Sequence, residues 1–124
     1  TLRAHSLHIV DELMQSSTRL FARPQALEDP EKRERIEHLV VLLRSVLDAR
    51  QRVMLELNVP AERLEELIAV LPCMREPTIA SLHGSSGFAV KAAVARERVP
   101  ELIPLLRARG GTDILVAELA QLIP

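Results

Sequence analysis

Histidine and cysteine are the residues of this chain best suited to bind a metal or act as a nucleophile. The chain has one cysteine, Cys73, and four histidines, His5, His8, His38 and His83. His5 and His8 are three residues apart and could share a metal ion, but no carboxylate or cysteine completes a known ligand set. Surface histidines are the alternative. Cys73 has only Arg75 as a basic neighbour, which favours an inert thiol. We therefore predict no metal site and no catalytic residue here.

The segment His83–Gly87 combines a histidine with glycine and serine, and could form a phosphate-binding nest of backbone N–H groups. It lies between two predicted strands and does not precede a helix, so a hairpin turn is the better interpretation. The sequence contains neither a Walker loop nor a dinucleotide-binding fingerprint.

Composition excludes several other classes of protein. The 124 residues carry 16 basic and 17 acidic side chains, a formal net charge of -1, which argues against a nucleic-acid binder. With no Trp or Tyr, and only Phe21 and Phe88, the chain lacks base-stacking platforms. A single cysteine excludes an internal disulfide framework and is typical of a reducing, cytoplasmic setting.

Targeting and membrane signals are also missing from the sequence. No apolar run approaches the roughly 20 residues that span a bilayer, and no signal peptide is visible. The sequence starts at Thr1 rather than at Met. We expect a fragment of a longer protein.

The segment Arg52–Pro60 is the centre of the predicted fold. Apolar and other side chains alternate from Val53 to Val59, the period of a half-buried strand. Pro60 ends the strand because proline has no N–H to donate. A helix is predicted over Ala61–Leu71.

The chain after this helix continues the alternation of elements. The further predicted elements are a strand at 78–82, a strand at 88–94, a helix at 99–109 and a strand at 113–116. The order β-α-β-β-α-β predicts a ferredoxin-like α+β domain, with a four-stranded antiparallel sheet and two helices on one face. We expect the open face to meet another sheet or subunit.

The chain before Arg52 is predicted to hold a hairpin and a long connecting helix. His8–Met14 fits a strand or a helical turn, and Thr18–Ala22 fits a strand that Pro24 ends. Asp29 and Pro30 predict a helix start, and helical apolar spacing continues to about Arg50. This helix either packs on another domain or subunit as well as its own, or lies inside one core.

Several motifs together resemble one family, the long form of ATP phosphoribosyltransferase, the first enzyme of histidine biosynthesis. Nearly the whole chain resembles the C-terminal part of that enzyme. The resemblance is carried by Thr1–Leu7, Ser16–Ala22, Asp29–Arg33, Leu57–Pro60, Leu71–Pro72, Pro77–Thr78 and Gly110–Val116.

The resemblance implies three regions: residues 1–28 as a tail of the catalytic half, 29–52 as a connecting helix, and 53–124 as a regulatory ferredoxin-like (ACT/PII-like) domain. It implies an enzyme that condenses ATP with phosphoribosyl pyrophosphate in the presence of Mg²⁺, forms dimers and hexamers, and is inhibited by L-histidine. The phosphate-binding loop is expected upstream of Thr1, so this chain lacks most of the active site.

The resemblance also implies a histidine-binding pocket, at Asn58, Met74, Thr78, Ala93 and Asp113. Asn58 departs from the carboxylate expected there in some members, and Asp113 could replace it as the ammonium partner. A helix cap is an equally good interpretation of Asn58. Gly87-Phe88 departs from a usual tryptophan. The alternatives for the whole chain are a stand-alone small-molecule sensor and an oligomerisation module of the same fold.

Overall fold

The computed structural model describes residues 8–84 and 86–124, which fall into two compact units that divide between Glu34 and Arg35. Helix α1 is Pro24–Glu28 and helix α2 is Pro30–Arg50, so α2 begins in the first unit and continues into the second. The predicted segment Thr1–Leu7, with His5, lies outside the described residues, as does Ser85 of the predicted hairpin loop.

The predicted N-terminal hairpin is wrong. Residues 8–23 form neither strand nor helix, and their apolar side chains are exposed, Val10 to 98% and Phe21 to 85%. A two-stranded hairpin is marginal without a third strand, and every strand in the described part of the chain lies between residues 52 and 118. Pro24, predicted to end a strand, starts α1 instead, because proline fits the first turn of a helix.

The predicted start of the long helix at Asp29 and Pro30 is confirmed. The backbone N–H groups of Glu31 and Lys32 donate to Asp29 Oδ1 at 3.1 and 3.3 Å, which satisfies two donors that the helix leaves unpaired. Lys32 Nζ lies 3.0 Å from Asp29 Oδ2. The hydrogen bond from the Lys32 side chain, aided by the backbone N–H groups, holds the pKa of the Asp29 carboxyl below its usual value.

The second unit contains the predicted α+β domain. Its elements after α2 are β1 (Arg52–Val59), a 3-10 turn (Ala61–Arg63), α3 (Leu64–Ile68), β2 (Thr78–Ser81), β3 (Phe88–Ala95), a 3-10 turn (Arg96–Arg98), α4 (Val99–Ala108) and β4 (Thr112–Glu118). The strand order is β2-β3-β1-β4 and each neighbouring pair is antiparallel. This confirms the predicted four-stranded sheet, with β1 in its interior.

The core lies on one face of this sheet. Every second residue of β1 is buried, and Leu67 of α3 packs in the same cluster as Leu102 and Leu106 of α4. The cluster comprises Val53, Leu55, Leu57, Val59, Leu67, Leu71, Val90, Ala92, Val94, Leu102 and Leu106. Both helices therefore cover the same face, and the side chains of Met54, Glu56 and Asn58 lie on the open one.

Helix α4 ends at Ala108, one residue before its predicted end, and the glycines at 110 and 111 fix the start of β4. Gly110 has a φ of +86°, and its N–H donates to Arg107 O at 3.1 Å. The Gly111 N–H donates to Leu106 O at 2.9 Å. These two bonds form a Schellman motif, which requires a residue that tolerates positive φ. Pro104 lies inside the continuous helix.

Helix α2 buries little of its apolar surface. Only Ser45 and Ala49 are fully buried, whereas Leu42 and Leu47 are 52% and 55% exposed. In this chain α2 is therefore no buried core helix. Ser45 O accepts the N–H of Leu122 at 2.9 Å, which ties the C-terminal tail to α2. Within the described residues, no helix is both long enough and apolar enough to cross a membrane.

Burial predicts which leucines stabilise the domain. Leu55→Ala should lower the free energy of unfolding by about 2–5 kcal/mol, because it leaves a cavity where the side chain is 1% exposed. The matched control is Leu115→Ala in β4, where the side chain is 63% exposed, and its loss should stay below about 1 kcal/mol. Urea unfolding of both variants measures the difference; equal losses would contradict the assigned core.

The Asp29 cap predicts a titration at the start of α2. Because the pKa is lowered on folding, the cap stabilises the helix above the unfolded pKa of about 3.9 and this contribution is lost as pH falls through the folded value. The backbone amide resonances of Glu31 and Lys32 should shift in that pH range by NMR. Asp29→Ala should abolish the step, and a step that persists in this variant would assign it to another carboxyl.

Candidate functional site

A shallow depression of about 250 Å³ lies on the open face of the sheet. All four strands contribute to it. Its lining comprises Glu56, Leu57, Asn58, Thr78, Ala80, Ala89, Val90, Lys91, Asp113 and Leu115. The alanines leave space over β2 and β3, while charged and amide groups lie over β3, β1 and β4. The surface therefore offers room for a small molecule together with hydrogen-bonding groups of both signs.

A β-bulge brings Asp113 to the edge of this depression. Glu56 pairs with Leu115, but Asn58 pairs with Thr112, so two residues of β4 lie opposite the single residue Leu57. Asp113 occupies the bulge with a φ of +49°. Aspartate is among the few residues that adopt this left-handed conformation without a glycine, and a bulge redirects the side chains beside it.

The Asp113 carboxylate is held by two donors. Asn58 Nδ2 donates to Asp113 Oδ2 at 3.0 Å, and Thr112 Oγ1 donates to the same oxygen at 3.2 Å. Both bonds converge on one oxygen, so the second oxygen keeps its acceptor capacity. The amide of Asn58 is thus a hydrogen-bond donor to Asp113 and does not cap a helix. Neither the 3-10 turn Ala61–Arg63 nor α3 has a side-chain cap.

A cross-strand ion pair lies between Asp113 and Thr78. Lys91 is in register with Glu56 on one side and with Thr78 on the other. Lys91 Nζ lies 2.8 Å from Glu56 Oε1, and the two side chains are 51% and 42% exposed. A pair as exposed as this one contributes at most about 1 kcal/mol to stability.

The structure brings three of the five predicted site residues together. Asn58, Thr78 and Asp113 line the same depression. Met74 and Ala93 lie outside that lining but adjoin each other, since the Met74 N–H donates to Ala93 O at 3.2 Å. Ala93 is two residues along β3 from Lys91, a distance of about 7 Å. The sequence alone missed Glu56 and Lys91, although both occupy open-face positions of predicted strands.

The histidines that the structure describes and Cys73 form no comparable arrangement. His83 is exposed after β2, and Cys73 is partly buried where it bridges to Val94 of β3. Among the residues that the structure describes, no group of three His, Cys, Asp or Glu side chains could hold a metal ion.

The fold and the depression define an α+β domain of the ferredoxin-like class, with helices on one face and a polar surface on the other. The chain belongs to the family described as "HisG, C-terminal domain", whose model matches residues 49–121.

Similar proteins extend this match over the whole chain. This chain is 40% identical over 124 residues to an ATP phosphoribosyltransferase of Pelotomaculum thermopropionicum, and 42% identical over 124 residues to one of Natronomonas pharaonis. A third relative of that name, from Desulforudis audaxviator, is 38% identical over 124 residues. Each alignment covers 100% of this chain but 43% of the relative. The chain therefore spans less than half the length of these curated relatives.

The bulge predicts a ranking of substitutions at Asp113. Asp113→Gly and Asp113→Asn should leave the free energy of unfolding nearly unchanged, because both residues tolerate a φ of +49°. Asp113→Val should lower it by about 1–2 kcal/mol, because a β-branched side chain is strained in that conformation. Denaturant unfolding of the three variants tests this ranking, and a stable valine variant would argue against the bulge.

Proposed function

We propose that this chain is the C-terminal regulatory region of an ATP phosphoribosyltransferase. The observation that carries the proposal is the coincidence of the family match with the open-face depression lined by Asn58, Thr78 and Asp113. The whole enzyme condenses ATP with phosphoribosyl pyrophosphate to phosphoribosyl-ATP, with Mg²⁺ present, at the start of histidine biosynthesis. Its active site lies mainly in the part of the relatives that this chain does not match.

The ligand of the regulatory region is L-histidine, bound as a feedback inhibitor. A free amino acid needs acceptors for its ammonium group and donors for its carboxylate. Asp113 supplies an acceptor whose position is fixed by Asn58 and Thr112, and the Thr78 hydroxyl supplies a donor. In this proposal the imidazole is received by Met74 and Ala93, which are joined by a backbone hydrogen bond outside the lining of the depression.

The open sheet face and the exposed apolar side of α2 give this region a second role in assembly. Leu39, Leu42, Leu43 and Leu47 are each 45–55% exposed on α2. In a homo-oligomer, a dimer or hexamer of the complete enzyme, such apolar surface is removed from water. The setting of the enzyme is the cytoplasm.

Calorimetric titration with L-histidine tests the ligand. We expect saturable binding of L-histidine, and none of L-arginine at the same concentrations. Thr78→Val should weaken binding about tenfold, because it removes a hydrogen-bonding hydroxyl from an otherwise isosteric side chain. Asp113→Asn should weaken it by a similar or larger factor while keeping the backbone conformation.

The matched control is Thr18→Val, which makes the same exchange outside the depression and should leave the affinity unchanged. A folded oligomer that does not bind histidine would contradict the proposal that histidine is the ligand. Oligomerisation would then remain as the function of this domain.

A further inference from the structure

The order of the strands determines what lies beneath a ligand on the open face. Thr78 is on β2 and Asp113 is on β4, the two edges of the sheet, and β3 and β1 lie between them. The edges are three strand spacings apart, about 14 Å. A ligand that uses both edge residues must therefore lie across Lys91 of β3 and Glu56 of β1.

The central ion pair has donor and acceptor capacity beyond its own contact. The Lys91 ammonium has three N–H donors and Glu56 Oε1 lies at 2.8 Å from it, so further donors can reach a second anion. The Glu56 carboxylate has a second oxygen for a cation. Both side chains are about half exposed on the depression side, so a ligand can reach them.

The charges of the lining also discriminate among ligands. Two carboxylates, Glu56 and Asp113, face one ammonium, that of Lys91, which gives the lining a formal charge of -1. A ligand that has only negative charge is repelled by this lining. A zwitterion satisfies both signs, because each of its charged ends meets an opposite charge.

We propose that Lys91 and Glu56 recognise the α-amino-acid head group itself. Lys91, together with the neighbouring hydroxyl of Thr78, binds the α-carboxylate, and Glu56 shares the α-ammonium with Asp113. The inference rests on the proposed function, which identifies the ligand as histidine. It adds Lys91 and Glu56, which make binding depend on both charges of the ligand's head group. Ligands with a blocked carboxylate bind more weakly.

Paired titrations of the full 124-residue chain with L-histidine and L-histidine methyl ester test this inference. The ester differs from histidine by the loss of the carboxylate charge. We expect the wild-type chain to bind histidine about 10- to 100-fold more tightly than the ester, as a charge-assisted hydrogen bond implies. Lys91→Met should lower the affinity for histidine by that factor and leave the affinity for the ester unchanged.

The control substitution is Lys32→Met, because Lys32 is the only other lysine and also forms a surface ion pair, with Asp29. It should preserve the preference for histidine. The double exchange Glu56→Lys with Lys91→Glu keeps a cross-strand pair and so keeps the fold. It should nevertheless abolish the preference, because the two charges have changed places.

The outcomes separate the two proposals. Histidine binding that shows no preference over the ester, or a Lys91→Met variant that loses affinity for both ligands equally, overturns the role of Lys91 and leaves histidine as the ligand. A wild-type chain that binds neither ligand overturns the histidine site and this inference together.

Discussion

The alternation of side chains along β1 is the constraint on which the rest of this domain depends. β1 pairs with β3 on one side and β4 on the other, so its eight residues set the register of three strands. Its buried positions hold only valine and leucine. A shift of one residue would place Glu56 and Asn58 in the core and expose the valines and leucines, at a cost no other contact could offset. The core and the polar surface are thus specified by the same eight residues.

The candidate site depends on one departure from that regular pattern. The bulge opposite Leu57 gives β4 an extra residue, and the glycines before it hold the strand in place. A Cβ on Gly111 would lie 2.9 Å from Leu106 O and 3.1 Å from Leu57 Cδ1, so a larger residue could not end α4 this close to β1. The position of the Asp113 carboxylate therefore follows from packing on the opposite face of the sheet.

Much of the fold could be predicted because it depends on local periodicity. The alternation from Val53 to Val59 and the Asp29-Pro30 helix start each involve neighbouring residues, and both are found in the structure. The predicted N-terminal hairpin was wrong because a short run of strand-forming residues reports strand propensity but not whether a partner strand is present. Helix α3 is short, Leu64–Ile68, because the predicted first turn is a 3-10 turn.

The chemistry of the depression was less accessible from the sequence. Asn58, Thr78 and Asp113 were predicted from family resemblance, and the local pattern did not single them out. The Lys91–Glu56 pair joins residues 35 positions apart and exists only in one register of β1 and β3. The bulge shifts the register between β1 and β4, and nothing in the residues Thr112 to Leu115 indicates an extra residue.

The hydrogen bond from the Leu122 N–H to the Ser45 carbonyl couples the two ends of the domain. The tail that follows β4 returns to α2, the helix that leads into β1, so the entering and leaving segments are joined. The last turns of α2 and the C-terminal tail should therefore fray as one cooperative unit rather than independently. The carbonyl of the buried Ser45 thereby joins the segment before β1 to the segment after β4 through one backbone hydrogen bond.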